Sequence, residues 1–210
     1  MDKGLSLRNV VISKDGASLV SVHHDIAPGD VLTIMGPSGV GKSTLLAFIT
    51  GTLAPAFDAQ GTVCIDGQDI THAPPHRRRV GILFQDDLLF PHLSVGANLA
   101  FGLRPGGAQS TRLEKINNAL DEIGLSGFAD RDPATLSGGQ KARVALMRML
   151  LSEPCGLLLD EPFSRLDAAL RAQVRDMVFE RARARLLPVL MVTHDAEDAQ
   201  AAGGQIITLA

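Results

Sequence analysis

The hydrophobic positions of this chain fall into short compact runs separated by longer amphipathic stretches. Two strand-like runs come first, at residues 5–12 and 19–26, joined by a turn at Lys14-Asp15-Gly16. Compact runs typical of further strands lie at residues 31–35, 62–65, 80–84, 156–159, 188–192 and 205–209. Helical spacing is found at residues 42–50, 139–152 and 167–186, with a short helix near Asp195. This alternation predicts an α/β fold with a mostly parallel sheet covered on both faces.

Two parts of the chain depart from that alternation. The first two strands, joined by a short turn, predict an N-terminal antiparallel β subdomain. From about residue 86 to residue 135 the spacing is helical but broken by Gly102, Pro105, Gly106 and Gly107. We therefore expect a helical subdomain inserted in the α/β core, with a mobile linker at residues 104–110, inside a single domain of residues 1–210.

Composition and charge argue against two classes of protein, nucleic-acid-binding proteins and proteins that span a membrane themselves. The 210 residues are 45% hydrophobic, enough for one substantial core, and the net charge of -3 gives no support to nucleic-acid binding. No apolar run approaches the ~20 residues that span a bilayer, so membrane contact is expected through a partner and the protein is expected in the cytoplasm. The run Arg77-Arg78-Arg79 is expected to be a solvated face before a strand.

A glycine-rich loop carries the first chemical signal. Residues 36–43 fit the pattern GxxxxGK[ST] between a buried strand and a helix; they are Gly36, Pro37, Ser38, Gly39, Val40, Gly41, Lys42 and Ser43. Such a loop points main-chain N–H groups at phosphate oxygens and predicts a P-loop NTPase core. We expect Lys42 to neutralise the β- and γ-phosphates of ATP, Ser43 to coordinate Mg²⁺, and Thr44 to contact the α-phosphate side. The alternative is an ordinary glycine-rich turn.

Two carboxylates end a buried strand. Leu157-Leu158-Leu159 is followed by Asp160 and Glu161. Ligands of parallel sheets bind at the carboxyl ends of the strands, so both acids are expected to face the nucleotide. Asp160 is the expected Mg²⁺ ligand, and Glu161 the expected base that polarises an attacking water. Taken alone, the same pattern also fits a strand followed by a polar turn.

With these motifs, residues 136–140 complete a resemblance to the ATP-binding cassette family that runs from about Leu5 to Leu209. The family signature is formed by Leu136, Ser137, Gly138, Gly139 and Gln140. Residues 36–43 resemble its Walker A motif, and Leu157 to Asp160 resemble Walker B, with Glu161 as the catalytic glutamate. Gln85 is similar to the Q-loop glutamine, Ser164-Arg165-Leu166-Asp167 to the D-loop, and His194 to the switch histidine.

The resemblance implies roles for the residues outside the loop and the acidic strand end. Gln85 would contact Mg²⁺ or the attacking water, and His194 would bind and sense the γ-phosphate. The start of the helix at Ser137 would face the γ-phosphate of ATP held by a partner subunit, and Asp167 would lie at the dimer seam. The alternatives are a merely capped helix start at the signature, an N-cap at Asp167, a structural histidine and a surface glutamine.

Within the family, the sequence resembles one branch in particular. Residues 90–95 and 132–135 are similar to those of bacterial importer ATPases, and the chain as a whole resembles thiamine-type importer ATPases of Gram-negative bacteria. This implies a homodimer that binds two MgATP, contacts integral membrane permease subunits and indirectly a periplasmic binding protein, and sits peripherally on the cytoplasmic face of the inner membrane. The alternatives are an ATP-gated dimerising cassette in regulation or assembly, and a soluble nucleotide kinase.

One feature of the family is missing. Its members usually stack adenine on an aromatic residue whose equivalent here lies near Ser13, and this chain has no Tyr or Trp. Without that stacking, nucleotide affinity is expected to fall by ~1 kcal/mol, and the preference for adenine over guanine to weaken.

Overall fold

The computed structural model describes residues 3–209. Met1, Asp2 and Ala210, which the expected domain of residues 1–210 includes, lie outside the described residues. The strands are β1 (Leu5–Lys14), β2 (Ala17–Ile26), β3 (Val31–Met35), β4 (Asp58–Ile65), β5 (Gln68–Asp69), β6 (Val80–Leu83), β7 (Gly156–Asp160), β8 (Val189–Thr193) and β9 (Gln205–Thr208). The helices are α1 (Lys42–Thr50), α2 (Val95–Gly102), α3 (Gln109–Glu122), α4 (Gly138–Leu150), α5 (Ala168–Ala184) and α6 (Ala196–Ala202).

The strands form two sheets. An antiparallel sheet has the order β2-β1-β4-β5, and a second sheet has the order β6-β7-β8-β3-β9. In the second sheet β3 pairs in parallel with both β8 and β9, and β7 pairs in parallel with β8. The predicted α/β class is therefore confirmed: a P-loop core with a mostly parallel sheet, an N-terminal antiparallel sheet and helices.

The chain divides into two compact units, each described here by itself. The first comprises the residues up to Ile82 together with 154–161 and those from Phe179 onward. Its core packs alternate residues of β1 and β2 against the apolar side of α1 and the buried strands of the parallel sheet. Members of this core include Leu7, Ile12, Leu46, Ile34 and Leu190. Burial of strands on both faces explains why β3, β7 and β8 are mostly apolar along their whole length.

The second unit comprises residues 83–153 and 162–178. Helix α2 packs on both α3 and α4, and the buried side chains include Leu99, Leu120, Val144 and Leu146. The assignment of residues 86–135 as an inserted helical subdomain stays a prediction. No helix within residues 3–209 has both the length and the apolar character needed to cross a bilayer.

The expected elements are present, with shifts at their ends. Strand β4 begins at Asp58 instead of residue 62, because Asp58, Ala59 and Gln60 pair with β1 despite their polar sequence. Strand β6 ends at Leu83, one residue earlier than expected, and β8 extends to Thr193. The two-residue strand β5 was not predicted.

The expectation that the three arginines at 77–79 form a solvated face is wrong for the middle one. Arg78 is buried, whereas Arg77 and Arg79 are exposed. Its guanidinium donates hydrogen bonds to the carbonyls of Phe48 and Ile49 at the end of α1, and to those of Thr71 and Ala73. Arg78 thus closes the C-terminal end of the helix that follows the glycine loop.

Candidate nucleotide-binding site

Three neighbouring strands of the parallel sheet end at one edge of the first unit. Met35 at the end of β3 is in register with Thr193 at the end of β8, and Asp160 at the end of β7 is in register with Val192. The glycine loop, Glu161 and His194 therefore follow adjacent strand ends. This is the edge at which parallel α/β sheets bind ligands.

Glycines allow the loop between β3 and α1 to fold tightly. Gly39 and Gly41 have φ angles of 86° and 103°, in the region that disfavours side chains. A Cβ on Gly41 would lie 2.6 Å from Cγ2 of Val20, so β2 closes one side of the loop. Helix α1 begins at Lys42 with no side-chain cap and no acidic residue in its first turn. Its N–H groups and positive dipole end thus suit an anion.

Lys42 is buried, with 5% of its side chain exposed. Its Nζ donates hydrogen bonds to the carbonyls of Gly36 at 2.7 Å and Pro37 at 3.0 Å, which fold the side chain back over the loop. The same nitrogen lies 3.6 Å from Oε1 of Glu161. The structure thus brings together the lysine and the glutamate that the sequence places 119 positions apart.

Ser43 and Asp160 offer a pair of hard oxygen ligands. The Ser43 hydroxyl donates to Oδ1 of Asp160 at 3.1 Å. Burial raises the pKa of the Asp160 carboxyl above its ordinary value and the charge of Glu161 raises it further, while the Ser43 hydrogen bond and Lys42 oppose the rise. A divalent cation would relieve the cost of keeping this carboxylate ionised. A hydroxyl and a carboxylate fit Mg²⁺, which usually takes few protein ligands and completes its shell with phosphates and water.

Glu161 connects the lysine to His194. Its Oε2 lies 3.1 Å from Nδ1 of His194, and 19% of its side chain is exposed against 54% for the histidine. Glu161 has a φ of 46°, unusual for a residue with a side chain, and its N–H donates to the carbonyl of Val192 at 3.0 Å. The sheet therefore holds Glu161 in a conformation that sequence patterns do not reveal.

The predicted signature residues lie in the second unit, at the start of α4. Ser137 and Gln140 form a capping box: the Ser137 hydroxyl accepts from the Gln140 N–H at 3.3 Å, and Oε1 of Gln140 accepts from the Ser137 N–H at 2.9 Å. Ser137 and Gly138 are exposed, whereas Leu136 and Gly139 are buried. A Cβ on Gly139 would overlap the Leu170 side chain, whereas a Cβ on Gly138 would make an ordinary contact with Leu166 Cδ2, at 3.9 Å.

Gln85 and Asp167 also belong to the second unit. Gln85 is exposed, two residues after the end of β6. Asp167 precedes α5, and its Oδ1 accepts from the Leu170 N–H at 3.1 Å. This is the N-cap contact that was the alternative to a role at the dimer seam. An ion pair joins Arg165, two residues before Asp167, to Asp86, the neighbour of Gln85.

Sequence reasoning missed the polar contacts that hold residues 87–94. Asn98 of α2 is fully buried; its Oδ1 accepts from the Phe90 N–H at 2.8 Å and its Nδ2 donates to the Phe90 carbonyl at 3.1 Å. Arg148 of α4 donates to the Leu88 carbonyl at 2.9 Å and lies over the Phe90 ring. In the sequence, these contacts are indicated only by one polar side chain on a mostly apolar face of each helix, Asn98 on α2 and Arg148 on α4.

Comparison with known proteins identifies the family. The family model described as ABC transporter matches residues 19–164. An uncharacterized ABC transporter ATP-binding protein, YnjD, of Escherichia coli strain K12 is 48% identical over 198 residues, covering 94% of this chain and 91% of that protein. The thiamine import ATP-binding protein ThiQ of Salmonella paratyphi A is 48% identical over 172 residues, covering 81% and 72%.

A third relative is longer than this chain. The spermidine/putrescine import ATP-binding protein PotA of Lawsonia intracellularis is 41% identical over 211 residues, which covers 98% of this chain but 55% of that protein. The similarity extends beyond the motifs to nearly the full sequence, as the resemblance to importer ATPases predicts. With the loop, the acidic strand end and the histidine gathered at one edge of the sheet, the chain belongs to the ABC transporter family, as one of its ATP-hydrolysing, ATP-binding subunits.

Proposed function

We propose that this protein is the ATP-hydrolysing subunit that energises a bacterial ABC importer through an ATP-sandwich dimer. The observation that carries the proposal is the contact of Lys42, Glu161 and His194 at the edge of the sheet, beside the Ser43–Asp160 pair. A carboxylate base that lies 3.6 Å from a phosphate-binding lysine and 3.1 Å from an imidazole suits attack of water on a terminal phosphate.

The glycine loop supplies substrate binding in this proposal. Lys42 is the cation for the β- and γ-phosphates, since its Nζ already lies beside the carbonyls of Gly36 and Pro37 at the mouth of the loop. The loop residues other than Pro37 cradle the phosphates with their N–H groups, and Thr44 serves the α-phosphate side. Ser43 and Asp160 would hold Mg²⁺, which neutralises charge on the phosphates. The role expected of Gln85 as an Mg²⁺ contact stays a prediction.

Glu161 and His194 carry the chemistry. Glu161 accepts the proton of the attacking water, and its position is fixed by the main-chain bond to Val192. His194 contacts Glu161 through Nδ1, so Nε2 is left for the γ-phosphate or the water. Because more than half of the imidazole is exposed, a ligand reaches it without rearranging the sheet.

The start of α4 is the proposed site for the γ-phosphate held by a second copy of the chain. Ser137 and Gly138 are exposed, no acidic residue lies in the first turn, and the absence of a side chain at Gly138 lets an anion approach the helix end. Gly139 instead serves packing against Leu170. Asp167 has a second role at the dimer seam in addition to its capping contact.

Transport requires partners in the membrane. We place the protein in the cytoplasm, peripherally on the inner membrane, with integral membrane permease subunits as direct partners and a periplasmic binding protein as an indirect one. The second unit presents exposed apolar side chains on residues 84–101, including Leu88 and Phe101, which are 55% and 69% exposed. These suit a permease contact that couples ATP hydrolysis to import, and the relatives whose names state import favour that direction.

Mixing two inactive variants tests the shared site. Lys42→Ala removes the phosphate cation, and Ser137→Arg blocks the helix start. Each variant alone is expected to be inactive. In an equal mixture, half the dimers carry one complete site, so about a quarter of the wild-type ATPase rate returns if pairing is random and the sites act independently.

A matched control tests whether the returned activity comes from ATP sites shared between two chains. The double variant Lys42→Ala/Ser137→Arg has no complete site with any partner, so mixing it with the wild type is expected to lower activity instead of restoring it. Absence of rescue in the first mixture, with both variants folded and dimeric, would show that one chain supplies its whole site and would overturn the sandwich dimer.

A further inference from the structure

The turn that carries His194 is closed by a buried hydroxyl. Thr193, the last residue of β8, is 2% exposed, and its Oγ1 accepts the Asp195 N–H at 3.0 Å. This bond spans His194 and fixes the main chain on both of its sides. Asp195 then caps α6, with Oδ1 accepting from the N–H groups of Glu197 at 2.8 Å and Asp198 at 3.2 Å.

Side-chain packing does little to hold the imidazole. The His194 side chain is 54% exposed, and among the described residues its polar contact is Nδ1 to Glu161. The main chain is better anchored, because Thr193 is in register with Met35 of β3 and the preceding residue, Val192, accepts the Glu161 N–H. The direction of the ring is therefore set by the turn at residues 193–195.

We propose that Thr193 is a positioning residue that holds His194 against Glu161. The inference rests on the hydrolytic roles proposed above for these two residues. Replacing Thr193 with valine keeps the branched shape but removes the acceptor of the Asp195 N–H, so the turn loses its closing bond. We expect kcat to fall about tenfold with KM for ATP unchanged, since the loss of one such bond corresponds to roughly that factor and the glycine loop is untouched.

The chain offers a matched control on the neighbouring strand. Thr33 of β3 is fully buried, and its Oγ1 has no hydrogen-bond partner among the described residues. Thr33→Val makes the same chemical change in the same sheet without breaking a bond, and is expected to leave kcat at the wild-type value. Thr193→Ser keeps the hydroxyl and is expected to retain most of the activity that Thr193→Val loses.

The His194 ring provides a readout that does not depend on turnover. Its NMR signals, assigned by their loss in His194→Ala, are expected to shift in Thr193→Val and not in Thr33→Val. In a His194→Ala background, adding Thr193→Val is expected to lower kcat no further. Thermal melts of each variant confirm that the compared proteins are folded.

Three results would overturn the proposal: an unmoved ring in Thr193→Val, a Thr193→Ser variant as slow as the valine variant, or a double variant slower than His194→Ala alone. Failure of the underlying function has a different signature. Wild type would then lack ATPase activity, or His194→Ala would hydrolyse ATP at the full rate, while the ring shift still reports whether Thr193 sets the position of His194.

Discussion

Replacing Arg78 with methionine is expected to destabilise the protein by several kcal/mol. The side chain is 6% exposed. Nη1 donates to the Phe48 and Ile49 carbonyls at 2.8 and 2.9 Å, Nη2 to the Thr71 carbonyl at 2.6 Å and Nε to the Ala73 carbonyl at 2.7 Å. Methionine approximates the volume of the stem and removes all four bonds.

The magnitude follows from two opposing effects. Each hydrogen bond from a charged group contributes roughly 1.5–3 kcal/mol. Burial of the guanidinium opposes this gain, and it lowers the pKa of Arg78 despite the nearby charge of Asp69. The Phe48 carbonyl also accepts the Gly51 N–H, so it keeps a partner. The carbonyls of Ile49, Thr71 and Ala73 lose this donor, and each buried acceptor left without one costs roughly 1–3 kcal/mol, so the net loss is expected to be about 3–5 kcal/mol.

Urea and thermal unfolding measure this loss directly. For a chain of this size each kcal/mol lowers Tm by roughly 2–4 °C, so Arg78→Met is expected to melt about 10 °C below the wild type. Arg77→Met is the matched control, because that arginine is exposed, and it is expected to stay within about 0.5 kcal/mol. An Arg78 variant within about 1 kcal/mol of the wild type would refute the view that these bonds hold the end of α1.

Four further substitutions test the site. Glu161→Gln is expected to lower phosphate release about 10²–10⁴-fold and to leave an ATP-bound dimer on size-exclusion chromatography, because the amide cannot accept the water's proton; wild-type turnover would refute the role. Asp160→Asn is expected to raise Tm in EDTA at neutral pH. The pKa of Asp160 is higher in the folded protein than in the unfolded chain, so its ionised carboxylate lowers stability at pH values above the folded-state pKa. The stability advantage of the variant should therefore vanish as pH falls below the pKa of the unfolded chain. An advantage that grows on acidification would contradict a raised pKa. Gly138→Ala is expected to keep the wild-type Tm, since the added methyl makes an ordinary contact with Leu166 Cδ2 at 3.9 Å. It is expected to lower turnover at least about tenfold because the methyl obstructs the partner's phosphate, and unchanged turnover would argue against a site there. Ser13→Tyr is expected to tighten ATP binding about fivefold in a competition assay, equivalent to ~1 kcal/mol of stacking, and an equal gain in Ser13→Leu would contradict stacking.

The sequence predicted the parts of the candidate site that follow from local pattern. The glycine loop needs no distant information, because residues 36–43 carry both the pattern and its flanking strand and helix. The capping at Ser137 was equally visible, since Gln140 stands three residues later. The meeting of Lys42 with Glu161 followed from a rule of topology, that parallel strands end at a common edge.

The contacts that sequence reasoning missed depend on pairing between distant segments. Asp58 to Gln60 form a strand only because β1 offers them partners, which their own polar sequence does not indicate. Arg78 looks like its exposed neighbours, and only its place beneath the last turn of α1 makes it a buried donor. The positive φ of Glu161 likewise depends on its N–H reaching Val192, a bond between strands about thirty positions apart in the sequence.

The proposed catalytic groups follow the ends of paired strands, so substitutions of these groups are expected to affect activity more than folding. Met35, Asp160 and Thr193 end strands whose main-chain bonds belong to the core, so the groups that follow them are placed by paired strands of the first unit. The raised pKa of Asp160 indicates that keeping this buried carboxylate ionised opposes folding. A substitution at this edge such as Lys42→Ala is therefore expected to give a folded protein. Ser137→Arg lies in the second unit, where it removes the capping contact of α4 at a cost of about 1 kcal/mol, and it is also expected to fold. In a dimer that shares its sites, a copy with both Lys42→Ala and Ser137→Arg leaves no complete site when it pairs with the wild type. This variant should therefore lower the ATPase activity of the wild type in proportion to the fraction of mixed dimers.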